Sequence, residues 1–153
     1  QFSDSDLSKV PVTNNWKTLG LPSAAVTDTG LRHLEKLSGL ESLTLTDSAV
    51  TDKGLVHLRN QRKLKYLDLN ISRISDDGLS HLSGLSNLEH LSLWHTGISD
   101  AGLAHIASLH RLANLGLYGT KVTDSGLVNL SQMKRMTHLV LSETQIGSRG
   151  LEH

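Results

Sequence analysis

Apolar residues recur along the chain in two alternating rhythms. Over 27–50, Leu31, Leu34, Leu37 and Leu40 fall every third residue, and then Leu43 and Leu45 alternate with Ser42, Thr44 and Thr46. The first rhythm predicts a short α- or 3₁₀-helical segment buried along one side, and the second predicts a strand. The whole pattern returns after 24 residues, so Leu43 and Leu45 become Leu67 and Leu69, then Leu91 and Leu93, then Leu115 and Leu117. Each unit therefore reads as strand, turn, helix, turn. Strands are expected near 18–21, 42–45, 66–69, 90–93, 114–117 and 138–141, with their Leu pairs buried.

The units align as 3–26, 27–50, 51–74, 75–98, 99–122 and 123–146, with a partial unit from 147 and no insertion or deletion. The first position is Ser or Thr in every copy (Ser3, Thr27, Thr51, Ser75, Ser99, Thr123) and the second is always Asp (Asp4, Asp28, Asp52, Asp76, Asp100, Asp124). A hydroxyl and a carboxylate there can accept hydrogen bonds from the unpaired N–H groups of the following helix and complement its dipole. The fourth position is Gly30, Gly54, Gly78, Gly102, Gly126 and Gly150, with Asp6 in the first copy. Such a glycine either admits a close neighbour or relieves a backbone constraint. A fixed period of this length means a solenoid in which each unit contacts only its neighbours, so 1–150 is one domain.

Leu64-x-x-Leu67-x-Leu69-x-x-Ser72-x-Ile74 and its five sister segments resemble the leucine-rich repeat, and Ser/Thr-Asp-x-Gly-Leu-x-x-Leu resembles the 24-residue repeat of bacterial leucine-rich-repeat proteins. The resemblance covers essentially the whole chain. It implies a curved right-handed α/β solenoid with parallel strands on the concave face and short helices on the convex face, binding a partner through the concave sheet. The Asn usual in the turn after the strand is here Ala24, Ser48, Ser72, Thr96, Thr120 and Thr144, which puts the family's turn ladder in question. Copy 3–26 is degenerate, with Asp6, Thr13, Trp16, Pro11 and Pro22, and reads as a capping repeat that tolerates water on its outer side. At the other end Leu127, Leu130, Met133, Met136, Leu139 and Leu141 have no following repeat to cover them. Self-association through that end, or a native continuation, is expected. Leu151-Glu152-His153 reads as the start of a vector-encoded tag.

Composition narrows the function. Fifteen basic and fifteen acidic residues balance to zero formal charge, which removes the footprint of a nucleic-acid binder. Without cysteine there is no disulfide, catalytic thiolate or thiolate zinc site, and the compartment is left open. No apolar run reaches the ~20 residues that cross a bilayer, so no membrane insertion is expected. Of nine histidines, His33, His57, His81 and His105 share one helical position, where ligands from successive repeats are spread apart rather than gathered on one ion. His110 reads as equally unremarkable. The basic cluster Arg59, Arg62, Lys63 and Lys65 reads as a solvated face on the helical side and the following turn. No nucleophile triad, His-Glu-x-x-His or phosphate loop occurs in a meaningful context. An enzymatic site would have to rest on Asp68, His90 and His95 meeting on the concave face.

Strand alternation lists that face. One column is Thr18, Ser42, Tyr66, His90, Asn114 and His138, and the next is Gly20, Thr44, Asp68, Ser92, Gly116 and Val140. The third is Pro22, Thr46, Asn70, Trp94, Tyr118 and Ser142, and the strand edge adds Ser23, Asp47, Ile71, His95, Gly119 and Glu143. None is Lys or Arg, and Asp47, Asp68 and Glu143 bias the face negative, so an anionic ligand is disfavoured there. Three of the chain's five aromatic residues, Tyr66, Trp94 and Tyr118, stand in these columns. Gly116 and Gly119 bracket Tyr118 and are expected to leave a notch beside it.

These readings point to a non-enzymatic protein-protein interaction module with no cofactor and no metal, its partner-binding residues being Tyr66, Asp68, Asn70, His90, Trp94, His95 and Tyr118. Two rival readings are the substrate-recognition segment of a larger effector or ligase, and a carbohydrate-binding module that stacks sugars on Trp94 and Tyr118.

Overall fold

A computed structural model describes residues 2–12, 15–23 and 25–148. Thr13, Ala24, Gly150 and Leu151–His153, which carried sequence expectations, lie outside the described residues. Six strands, β1 (Thr18–Gly20), β2 (Ser42–Thr44), β3 (Tyr66–Asp68), β4 (His90–Ser92), β5 (Asn114–Gly116) and β6 (His138–Val140), pair in chain order into one parallel sheet. Each pairs with the next in the unit register, Leu19 with Leu43, Leu43 with Leu67 and so on to Leu139. The sheet is open and lines the concave face of the solenoid.

Between strands lie α1 (Asp4–Leu7), α2 (Asp28–Leu31), α3 (Asp52–Leu55), α4 (Asp76–Leu79), α5 (Asp100–Ile106) and α6 (Asp124–Leu127). Four of them tighten at once into 3₁₀ turns, at Arg32–Lys36, Val56–Leu58, Ser80–Leu82 and Val128–Leu130. Only α5 stays α-helical for seven residues. Its Ala104 stands where three other units have Val56, Ser80 and Val128, and alanine has the higher helix propensity.

The leucine columns form one continuous core. Leu31, Leu34, Leu43, Leu45, Leu67, Leu69, Leu93 and Leu117 are fully buried, each worth about 1.5–3 kcal/mol of apolar transfer before entropy. Of the large apolar side chains of the last unit, Leu127 and Met133 are buried, while Leu130, Met136, Leu139, Leu141 and Ile146 are partly covered.

The Ser/Thr-Asp pairs divide their work in a way the sequence did not disclose. Thr27, Thr51 and Thr123 cap their own helices, accepting from the N–H of Thr29, Lys53 and Ser125. Each aspartate instead serves the next unit. Asp52 accepts the Ser75 N–H at 2.8 Å and the Ser75 hydroxyl at 2.6 Å, and Asp4, Asp28, Asp76 and Asp100 repeat the pattern on Thr27, Thr51, Ser99 and Thr123. The following glycine makes room for this carboxylate: a Cβ on Gly30, Gly54, Gly78, Gly102 or Gly126 would overlap the Oδ1 of the preceding unit's aspartate. Close approach, then, is what those glycines provide. In the first copy Asp6 stands in place of glycine and accepts the N–H and hydroxyl of Ser3 in its own turn.

The Ser/Thr substitutes for Asn do not bridge units. Ser72, Thr96, Thr120 and Thr144 donate to the carbonyls of Leu69, Leu93, Leu117 and Leu141, three residues back. A hydroxyl has one proton to give, and here it closes the unit's own turn.

Candidate functional site

Strand alternation places the first two sequence columns as expected, with outer residues partly or fully exposed around a buried central leucine in β1 to β5, except at Gly116, which is buried. The fourth column belongs to the turn rather than the strand edge. Ser23, Asp47, Ile71, His95 and Glu143 all have φ between 48° and 56°, and Gly119 has 66°. Non-glycine residues pay for that left-handed backbone, and a β-branched one pays most. Ile71 adopts it with 53% of its surface exposed, so neither backbone preference nor burial accounts for isoleucine at this position.

The aromatic residues are grouped in space. Tyr66 and His90, opposite each other on β3 and β4, have ring centroids 5.9 Å apart. Trp94 meets Tyr118 at 6.0 Å with a 63° interplanar angle, and His95 meets Tyr118 edge-on at 4.8 Å. Edge-to-face contacts of this kind contribute about 0.5–1.5 kcal/mol beyond buried area. Trp94 is 41% exposed and Tyr66 38% exposed.

Asn70 holds this cluster from beneath. It is buried, and its Oδ1 accepts the Ser92 hydroxyl at 2.8 Å and the Trp94 backbone N–H at 2.7 Å. Its own N–H donates to Asp68 Oδ1 at 2.9 Å. Of the seven candidates, Asn70 therefore sits as a support for Trp94, whereas the rings present themselves outward. Asp68, His90 and His95 engage separate neighbours, namely Asn70, Tyr66 and Tyr118, and no hydrogen bond joins the three to one another among the described residues.

Side chains lean into the expected notch at Gly116 and Gly119 without closing it at Gly116. A Cβ on Gly116 would overlap Nε1 of Trp94, and one on Gly119 would overlap the His95 ring, so both glycines accommodate side chains leaning over from the preceding unit. The space that stays open lies beside Trp94 and Gly116. A depression of about 180 Å³ is lined by residues that include Tyr66, His90, Trp94, Asn114, Gly116 and His138.

Electrostatics follow the same geography. The Tyr118 hydroxyl is held by a hydrogen bond to Glu143, which raises its pKa, with burial and the Glu143 charge adding to the effect. Burial raises the pKa of Tyr66, and the Asp68 charge adds to it. On the helical side of the chain His57 pairs with Glu35. No group of three or more His, Asp or Glu residues that could hold a metal ion occurs among the described residues. No helix among them is long and apolar enough to cross a membrane.

The Leucine Rich repeat family profile matches residues 60–83 and 84–107, two consecutive stretches of 24 residues in this same chain. The chain carries leucine-rich repeats. No curated protein sequence matches it. Among solved structures it is similar to an internalin C2 from Listeria monocytogenes str. 4b F2365, with a TM-score of 0.77 at 23% identity over 100% of this chain and 72% of that one. An internalin, InlF, from the same strain matches with a TM-score of 0.74 at 22% identity over 89% of this chain and 44% of that one. The PEPR1-AtPEP1 structure matches with a TM-score of 0.59 at 15% identity over 87% of this chain and 19% of that one. At these identities the likeness is one of fold, the leucine-rich-repeat solenoid.

Proposed function

We propose that this leucine-rich-repeat protein is a non-enzymatic module that binds a protein partner through its concave sheet, with Trp94 and Tyr118 as anchors. The observation that carries this reading is the exposed ring cluster on a face whose other residues, apart from Ile71 and Val140, are mostly small or polar. Asn70 holds the Trp94 backbone and Tyr118 packs against its ring, yet Trp94 remains 41% exposed. A large, pre-positioned aromatic side chain loses little conformational freedom on binding, which is why such residues dominate interface energetics. The family's fold supports a binding role, since an open parallel sheet of six strands offers a continuous surface. Sugar stacking fits less well, because Trp94 and Tyr118 meet at 63° and do not form one flat platform.

Trp94→Ala combined with Tyr118→Ala tests the reading. Melting temperature and capture of binding partners from the source cell should be measured together. Capture lost at little-changed stability supports the site. Capture retained by the folded double variant refutes it.

A further inference from the structure

Resting on that reading, we infer that the concave depression receives the side chain of one arginine or lysine from an extended segment of the protein partner. Size is the first argument. Pockets for cofactors and small molecules run to ~300–1,000 Å³, whereas this one holds about 180 Å³. It accommodates a side chain, not a whole ligand.

Chemistry is the second argument. By strand register Tyr66 and His90 stand on one side of the depression and His138 on the other, with Asn114 between them. A cation over such ring faces is attracted by their quadrupoles, and a guanidinium also stacks on them, while the aliphatic stem of Arg or Lys can lie along Trp94. The Asn114 side chain is half-buried and makes no hydrogen bond to other described residues, so its carbonyl is available to a guanidinium or ammonium N–H.

Charge is the third. No Lys or Arg occurs in the four concave columns, and Asp68 and Glu143 flank the rings. The base nearest in sequence, Lys65, has its ammonium on Glu41 at 2.8 Å. Both tyrosine hydroxyls feel those carboxylates, Tyr66 that of Asp68 and Tyr118 that of Glu143. An acidic side chain would meet this field with the wrong sign, and a neutral one would leave it unused.

The probes are acetylated peptides Ala-Ala-Xaa-Ala-Ala with arginine, lysine, citrulline, leucine or glutamate at Xaa, titrated into the isotope-labelled full chain. The Trp94 indole N–H is the reporter, with only Trp16 sharing its spectral region. Arginine and lysine peptides should shift it and bind at least about fivefold more tightly than citrulline, which keeps the shape of arginine without its charge. Glutamate should bind least. Tyr66→Leu, which leaves the reporter in place and removes a ring that the cation would face, should abolish the preference, and Asn114→Lys should weaken the arginine peptide at least as much. If Asn114→Lys fails to fold, the comparison of arginine with citrulline on the unmodified chain decides.

Equal binding of arginine and citrulline, preference for glutamate, or no shift with any peptide overturns the inference. Should it fall while Trp94→Ala with Tyr118→Ala still loses partner capture, the concave binding surface stands without a cation pocket. Capture that survives that double variant removes the surface itself.

Discussion

Gln61→Leu should make the protein more stable. Gln61 occupies a position that is Leu37, Leu85, Leu109 and Met133 in other units, and it is as buried as they are, at 2% exposure. Its Nε2 donates to the Leu34 carbonyl at 2.7 Å, but its Oε1 has no partner among the described residues. A buried carbonyl left unpaired costs about 1–3 kcal/mol, and the Nε2 bond returns about 1 kcal/mol. Removing the side-chain amide does not orphan Leu34, whose carbonyl also accepts the Leu37 N–H at 2.9 Å. Adding about 1 kcal/mol for the extra apolar burial, the substitution should gain about 2 kcal/mol in all. In a chain of this size that corresponds to roughly 4–8 °C in Tm. Urea unfolding followed by circular dichroism should show a higher midpoint at unchanged slope. The converse change, Leu85→Gln, should lower the midpoint. An unchanged or lower midpoint for Gln61→Leu would show that Oε1 is satisfied in solution and that the argument is wrong.

Gly78→Ala should cost about 2 kcal/mol, because its methyl displaces the Asp52 carboxylate from Ser75. In an Asp52→Ala background the same change should become neutral or stabilising by up to ~1 kcal/mol, as alanine is the better helix former, and additive costs in that double-mutant cycle would count against the ladder. Glu41 is bound by Lys17 and Lys65, hydrogen bonds that hold its pKa at about 2 against an ordinary 4.5. A depressed carboxylate contributes stability that is present above pH 4.5 and lost as pH falls through about 2. Glu41→Gln should therefore flatten the acid limb of the stability profile in that window, and high salt should do the same. For Tyr118, whose pKa is raised first by its hydrogen bond to Glu143 and then by burial, Glu143→Gln should bring the value down, as read by spectrophotometric titration. No change there would mean the bond is not formed in solution.

The solenoid was legible because leucine spacing encodes it twice, once in the helical and strand rhythms and again in the exact repetition of the unit. Position in a column reports the face of the sheet, and Tyr66, Trp94 and Tyr118 stand where alternation put them. What a column cannot report is the direction in which a side chain leans. Trp94 and His95 tilt onto the next unit and take up part of the space that Gly116 and Gly119 were expected to leave. Asn70 likewise falls in a surface column but turns its amide under Trp94. The role of the repeated glycine depended on a carboxylate 26 residues earlier, and nothing within one unit distinguishes a crowded glycine from a strained one. Gln61 could have been found from sequence, since a lone amide in a column of leucines is a visible departure.

The aspartate ladder also sets how the molecule should respond to force. Among the described residues, the side-chain hydrogen bonds that join one unit to the next span only 22 to 27 residues, so no bond ties one end of the solenoid to the other. Tension applied at the termini therefore loads neighbouring interfaces in series, and each carboxylate releases its Ser or Thr without unlatching the units beyond. A single 24-residue unit drawn out at 3.3–3.6 Å per residue adds about 80 Å of contour. Stretched chains should thus lengthen in a staircase of near-equal steps, the tread being the repeat itself.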